Sequence, residues 1–331
     1  MTAPYSPTVF ATPQINPNVG GFGAPIPYIS ISQYNFAPTA MDTSALVTVP
    51  GATEQDQEQA LYDTILRASR WADRYVYGMD AAAKGASLAA SLSVQAGFIP
   101  LLKGELRLIC DYKPILEVVG VDVGSFPGTA VSIGSAAAAQ IRFGRRTIYV
   151  PLGQNFIFGK NVTSSSLPLS MSQSGKFYTV WSYVNGYPHT SLGASVLAGA
   201  DTVTLTATNG NGGLYGVYPG TQLTIVDGVN TETFQVQSLN GNVATTVQPI
   251  ANSHTLPTAP DFLPVTALGS DIELAVIFLT TALIKTRGDF SIELQGMEQP
   301  NAIKSEVGDV QTDVAYAMEL LDPYRIHLKS A

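Results

Sequence analysis

A chain of 331 residues has room for about two ordinary domains, and a hydrophobic content of 45% is enough to build cores, which excludes wholesale disorder. Only 13% of the residues are charged, roughly half the ~25% of typical soluble domains, so the surface is covered by Ser, Thr, Asn and Gln or hidden in an assembly. A net charge of -8 argues against affinity won by neutralising phosphates, and the single cysteine excludes an internal disulfide framework.

Positive charge is unevenly placed. No Lys or Arg precedes Arg67, twelve lie between Arg67 and Lys176, none lies from Phe177 to Ile284, and five follow from Lys285. Shifts of this kind mark segments with separate structural tasks. The opening MTAPYSPTVFATPQ has neither a basic leader nor an apolar run, so no secretory signal is expected. Residues 1–50 are rich in Pro, Gly, Asn and Ser and read as an extended arm. Tyr5, Phe10, Phe22 and Tyr28 make best sense if that arm lies along a neighbour.

A helix follows over about 54–77. Pro50-Gly51 punctuates the chain, Thr53 with Asp56 resembles a capping box, and Leu61, Ile65, Ala68, Ala72 and Val76 form one apolar stripe. Asp63 stands four residues before Arg67, at the spacing of a helical ion pair. Arg67, Arg70 and Arg74 share another face, which is either simply solvated or set against acidic neighbours. The texture then changes to strands: SLAASLSVQ, ELRLICDY, ILEVVGVDV and RTIYVPL, then KFYTVWSYVNGYP, which reads as a strand pair.

Residues 191–257 look like a self-contained antiparallel module, a small sandwich or barrel. VTLTAT, QLTIVDG and TFQVQSL alternate, and Asn240-Gly241 is the strongest hairpin signal in the chain. Helix returns over about 271–287, where Ser270 and Asp271 can cap the start and Gly288 the end. Its apolar residues run nearly all the way round, so it is expected to be buried on every side. It is too short for a membrane span, which needs ~20 apolar residues. A last helix over about 309–321 carries the stripe Val310, Val314, Ala317 and Leu321, and Pro323 stops it.

A search for chemistry is mostly empty. His189, His254 and His327 lie far apart, in no ligand spacing with another His, Cys or carboxylate, so no metal or cofactor is expected. Cys110 sits in a strand-like run where a small buried hydrophobe is the default. There is no GxSxG elbow, SQSGK lacks the glycine of a phosphate loop, and NGNGG has no helix after it. A non-enzymatic protein is expected.

YISISQYNFAPTAMDTSAL followed by ALYDTILRASRWADRYVYG, then RLICDYKPILEVVGVDVG, then DIELAVIFLTTALIKTRGD, together resemble head–tail connector (adaptor) proteins of tailed bacteriophages. The family's "AS-x-x-x-D" element matches Ala68, Ser69 and Asp73, and its "RG" helix end matches Arg287 and Gly288. The order and spacing carry the likeness, over about 28–125 and 268–325. The long arm and the β module depart from compact members. The resemblance implies an α+β chain: a connector core of 51–190 with 258–331, a small helical bundle with a short β region, into which 191–257 is inserted. It implies a ring of twelve subunits in the virion neck, made in the bacterial host cytoplasm. That ring docks on the portal protein, meets tail or head-completion proteins, and passes DNA without sequence-specific binding. Expected subunit-interface residues are Arg67, Arg70, Arg74, Ile277, Phe278, Leu283 and Arg287. The C-terminal Tyr324, Arg325, Ile326, His327 and Leu328 are expected to touch the portal. The competing reading is a receptor- or carbohydrate-binding surface protein that works through the polar β module.

Overall fold

The computed structural model describes residues 26–44, 46–78, 86–124, 127–128, 130–133, 140–152, 176–209, 212–286 and 304–325, with side chains of the last stretch from 310 onward. Mixed helices and two curled antiparallel sheets make the chain α+β. The described residues divide into two compact units, 90–186 and 26–89 with 187–325.

The first unit is a seven-stranded sheet of β1 (Ser91–Leu102), β2 (Glu105–Ile109), β3 (Ile115–Gly124), β4 (Val131–Ser132), β5 (Arg142–Phe143), β6 (Thr147–Pro151) and β7 (Lys176–Asn185), in the order β4-β3-β7-β1-β2-β6-β5. KFYTVWSYVN is one long strand and not a pair; Gly186, at φ 101, ends it. Leu106, Leu108, Val121, Val123, Ile148, Val150, Phe177 and Trp181 fill the buried side. On β1 the polar residues turn inward: Ser91 and Ser93 are buried while Val94 and Phe98 face out. The register explains this inversion. Ser93 opposes Tyr183 and Gln95 opposes Trp181, so small or polar β1 residues leave room for the aromatic side chains of β7. Ser93 donates to Asn185 Oδ1 at 2.6 Å, and Trp181 Nε1 donates to Gln95 Oε1 at 3.1 Å.

In the second unit, residues 26–36 belong to the expected arm, and here it is not extended. Tyr28 and Ile29 are buried, and Ile31–Phe36 forms a short helix, α1, with a capping box between Ser30 and Gln33. Asp261 accepts from the Ile31 backbone N–H at 2.9 Å and from the Ser32 hydroxyl, satisfying donors at the helix start. Residues 1–25 of the expected arm lie outside the described residues.

Helix α2 (Glu54–Tyr77) bears out the sequence reading: Thr53 and Asp56 form the capping box, and Leu61, Ile65, Ala68, Ala72 and Val76 are all buried. It packs on α3 (Ser270–Lys285), which in turn packs on α4 (Lys304–Leu321). The α3 N-cap is Gly269 with no side-chain cap, so neither Ser270 nor Asp271 caps it. Gly269 has a steric role instead, because a Cβ there would meet the Tyr324 hydroxyl at 2.7 Å.

The β module's strands are β8 (His189–Ser191), β9 (Thr202–Thr204), β10 (Gln222–Ile225), β11 (Glu232–Asn240), β12 (Val243–Thr246) and β13 (Pro264–Thr266). They form one sheet in the order β8-β13-β10-β11-β12-β9, around Leu205, Leu223, Ile225, Val236, Ala244 and Val265. The sheet therefore runs past the expected 191–257 at both ends, and it shares a compact unit with the helices, whereas the first β region stands as the other unit. The β11–β12 hairpin is present; Asn240 pairs with Val243, so Gly241, at φ 61, and Asn242 make the turn.

Candidate subunit interface

The AS-x-x-x-D residues lie at the centre of a buried polar node. Ala68 is fully buried, and Ser69 Oγ accepts from the Tyr28 N–H at 3.0 Å while donating to Ile65 O at 2.9 Å. Asp73 Oδ1 accepts from the Tyr28 hydroxyl and from the Leu88 N–H, the latter at 2.8 Å. Two distant segments, 26–30 and 86–89, are thereby pinned to one helix face. Burial pushes the Asp73 carboxyl up to about 7, against the opposing pull of the Tyr28 and Leu88 hydrogen bonds and the Arg70 charge. His189 completes this corner: its Nε2 donates to Pro27 O at 2.9 Å, and its ring meets Tyr28 edge-on at 5.5 Å. Burial lowers its pKa to about 4, which keeps the ring neutral.

The α2 face opposite the apolar stripe presents Arg67, Arg70 and Arg74, all exposed. Asp63, expected to pair with Arg67, accepts instead from Gln59 Nε2 at 3.2 Å. Helix α3 is less evenly covered than its composition implies. Ile272, Ala275, Val276, Leu279, Ala282 and Leu283 are buried, Ile277 and Phe278 are half-buried, and Leu274 is 42% exposed. Phe278 stacks on Tyr316 of α4 at 5.9 Å, and Tyr316 is itself 53% exposed. Leu274, Phe278 and Tyr316 thus form an apolar patch reaching the surface. Leu283 must be withdrawn as an interface residue: at 3% exposure it lies on the inner stripe with Ile272, Val276 and Leu279, in helical register. Lys285 pairs with Asp313 at 2.8 Å, fixing α3 to α4. Glu273, in the first turn of α3, has its carboxyl pushed up to about 7 by burial. Arg287 lies outside the described residues.

The C-terminal candidates separate. Tyr324 is half-buried, edge-on to Tyr187 at 6.0 Å, and Arg325 lies over the Tyr75 ring at 5.1 Å, which is in turn stacked on Trp71. These two contacts hold the end of α4 against Tyr187 and Tyr75 of the same chain. Ile326, His327 and Leu328 lie outside the described residues.

Two arrangements escaped the sequence reading. His254, fully buried, stands between Asp227 (Nδ1 to Oδ2, 2.8 Å) and Glu232 (Nε2 to Oε1, 2.7 Å). Separations of 27 and 22 residues hide this cluster from any spacing rule. For Glu232 partial burial opposes ionisation, but donors from Asn252, His254 and Ala251 prevail and hold its carboxyl below the usual range. With both ring nitrogens engaged, His254 is a staple, and among the described residues no group of three His, Cys, Asp or Glu converges on a metal position. The second arrangement is the outward face of β1, whose signal was present as the apolar even-numbered set Val94, Ala96, Phe98, Pro100 and Leu102. Cys110 is buried and its thiol is pushed up to about 12 by burial, so it is not a nucleophile at neutral pH. No helix among the described residues is long and apolar enough to cross a membrane. Comparison with known proteins returned no matching family model, no matching curated protein and no matching solved structure.

Proposed function

We propose that this chain is a structural virion protein, a ring-shaped adaptor between the portal and the tail of a tailed bacteriophage, with a central channel that DNA crosses. The observation that carries the proposal is the apolar patch of Leu274, Phe278 and Tyr316 on α3 and α4, at the surface of a chain with only 13% charged residues. Such a patch gains most by meeting a second molecule. Helices α2, α3 and α4 form the bundle that repeats around the ring, joined by head-to-tail contacts that close. The Arg67, Arg70 and Arg74 face pairs with acidic groups of the next copy. A net charge of -8 suits a channel that DNA slides through without sticking. Twelve copies and portal contact through residues beyond Arg325 follow from the family resemblance.

Because Leu274 and Phe278 are partly exposed, charges placed there can be solvated in the single subunit but not in a closed contact. The double variant Leu274→Asp/Phe278→Asp is expected to retain its helical circular dichroism and to lose the assembly when measured by size-exclusion light scattering. An assembly of unchanged mass from that variant would refute this interface.

A further inference from the structure

We infer that the outward face of β1 and β7 is a docking strip for residues 1–25 of a second copy of this chain. The inference deepens the assembly reading and rests on it only for the presence of that second copy. Val94, Phe98 and Leu102 are 51%, 51% and 59% exposed, and Ala96 and Pro100 between them are exposed as well. The paired strand continues the strip with half-buried Tyr178 and Val180, and Phe98 meets Tyr178 edge-on at 5.4 Å. This is an uninterrupted apolar row on a solvent face, where an antiparallel sheet ordinarily places polar side chains.

Its shape and chemistry select the occupant. From Val94 to Leu102 the row spans roughly 26 Å at strand rise, and it is only about two strands wide. Charged groups bound it, Asp122 beside Val180 on β3 and exposed Arg107 on β2. On β7 the exposed Lys176 stands opposite Pro100 and closes that end of the strip, so the uncharged part is the β1 row with Tyr178 and Val180. A long, narrow row of this kind fits an extended segment better than a globular face. Residues 1–25 contain no Asp, Glu, Lys or Arg, and they carry Tyr5, Phe10 and Phe22 among five prolines. Proline removes backbone donors and favours extended conformations, so such a segment lies across side chains more readily than it adds a central strand. Fully extended, 25 residues reach about 80 Å, far enough to leave one subunit and cross another.

The test uses the full chain with a photo-reactive benzophenone amino acid placed at Phe98, assembled from a mixture of ordinary and heavy-isotope chains. Irradiation followed by mass spectrometry is expected to give cross-links from position 98 into residues 1–25, including pairs of mixed isotope. Replacing Tyr5 and Phe10 together by Ser should lower that yield at least ~10-fold, the loss expected if only one aromatic side chain's worth of burial, about 1.5 kcal/mol, is removed. Cross-links within single chains only would overturn the assignment to a second copy. Cross-links elsewhere, or none, would overturn the strip. Light scattering on the same sample separates the failures: an assembly without the arm cross-link sinks this inference alone, whereas a single-chain mass sinks the assembly reading.

Discussion

Asp73 shows how much a single side chain carries. It joins α2 to the segments at Tyr28 and Leu88, and it does so as a carboxyl whose proton is held to about pH 7 by burial. An unfolded aspartate titrates near ~3.9, so folding takes up a proton between about pH 4 and 7. Stability from this group is therefore fully present at low pH and is lost as pH rises through that window. His189, neutral in the fold down to about pH 4, acts in the opposite sense below its ordinary value, so the two must be separated by substitution. Asp73→Asn keeps an oxygen acceptor for both donors. Chemical denaturation should show it level with the parent near pH 4.5 and more stable by on the order of 2 kcal/mol at pH 8. A parallel pH dependence in the two proteins would contradict the assignment. His254 makes a complementary case: His254→Leu leaves Asp227 and Glu232 without their shared donor, and a loss of about 2 kcal/mol in urea unfolding is expected.

Among the elements, legibility followed locality. Helix α2 could be read from Thr53, Asp56 and its stripe because a cap and a 3.6-residue period are short-range signals. The AS-x-x-x-D residues were legible as a motif, but their partners Tyr28 and Leu88 were not, since only the tertiary fold supplies them. In strand β1 alternation does not tell the inner face from the outer, because inward Ser93 and Gln95 sit opposite the large aromatics Tyr183 and Trp181 of β7 while Val94 and Phe98 face out. Strand β13, Pro264-Val265-Thr266, is too short to announce itself, yet it pairs with β8 and β10 and moves the module boundary to 189–266. Excising only 191–257 would strip β13 of β10 and remove the sheet that Val265 is packed against. That deletion is expected to give insoluble or less stable protein, read as recovery after expression and as thermal midpoint. A soluble product with an unchanged midpoint would show the module to be a separable insertion after all.

At the scale of the whole molecule, sparse charge, an apolar patch on α3 and α4 and an apolar row on β1 describe a surface with more to hide than one chain hides. In the proposed assembly the arginines of α2 and the uncharged residues 1–25 are two further contacts between copies. Imaging the purified full chain by negative-stain microscopy, with mass photometry of the same sample, tests this most directly. The account predicts closed rings with a central hole, at a mass near twelve times 35.0 kDa. Particles at the single-chain mass, or fibrous trimers, would contradict it.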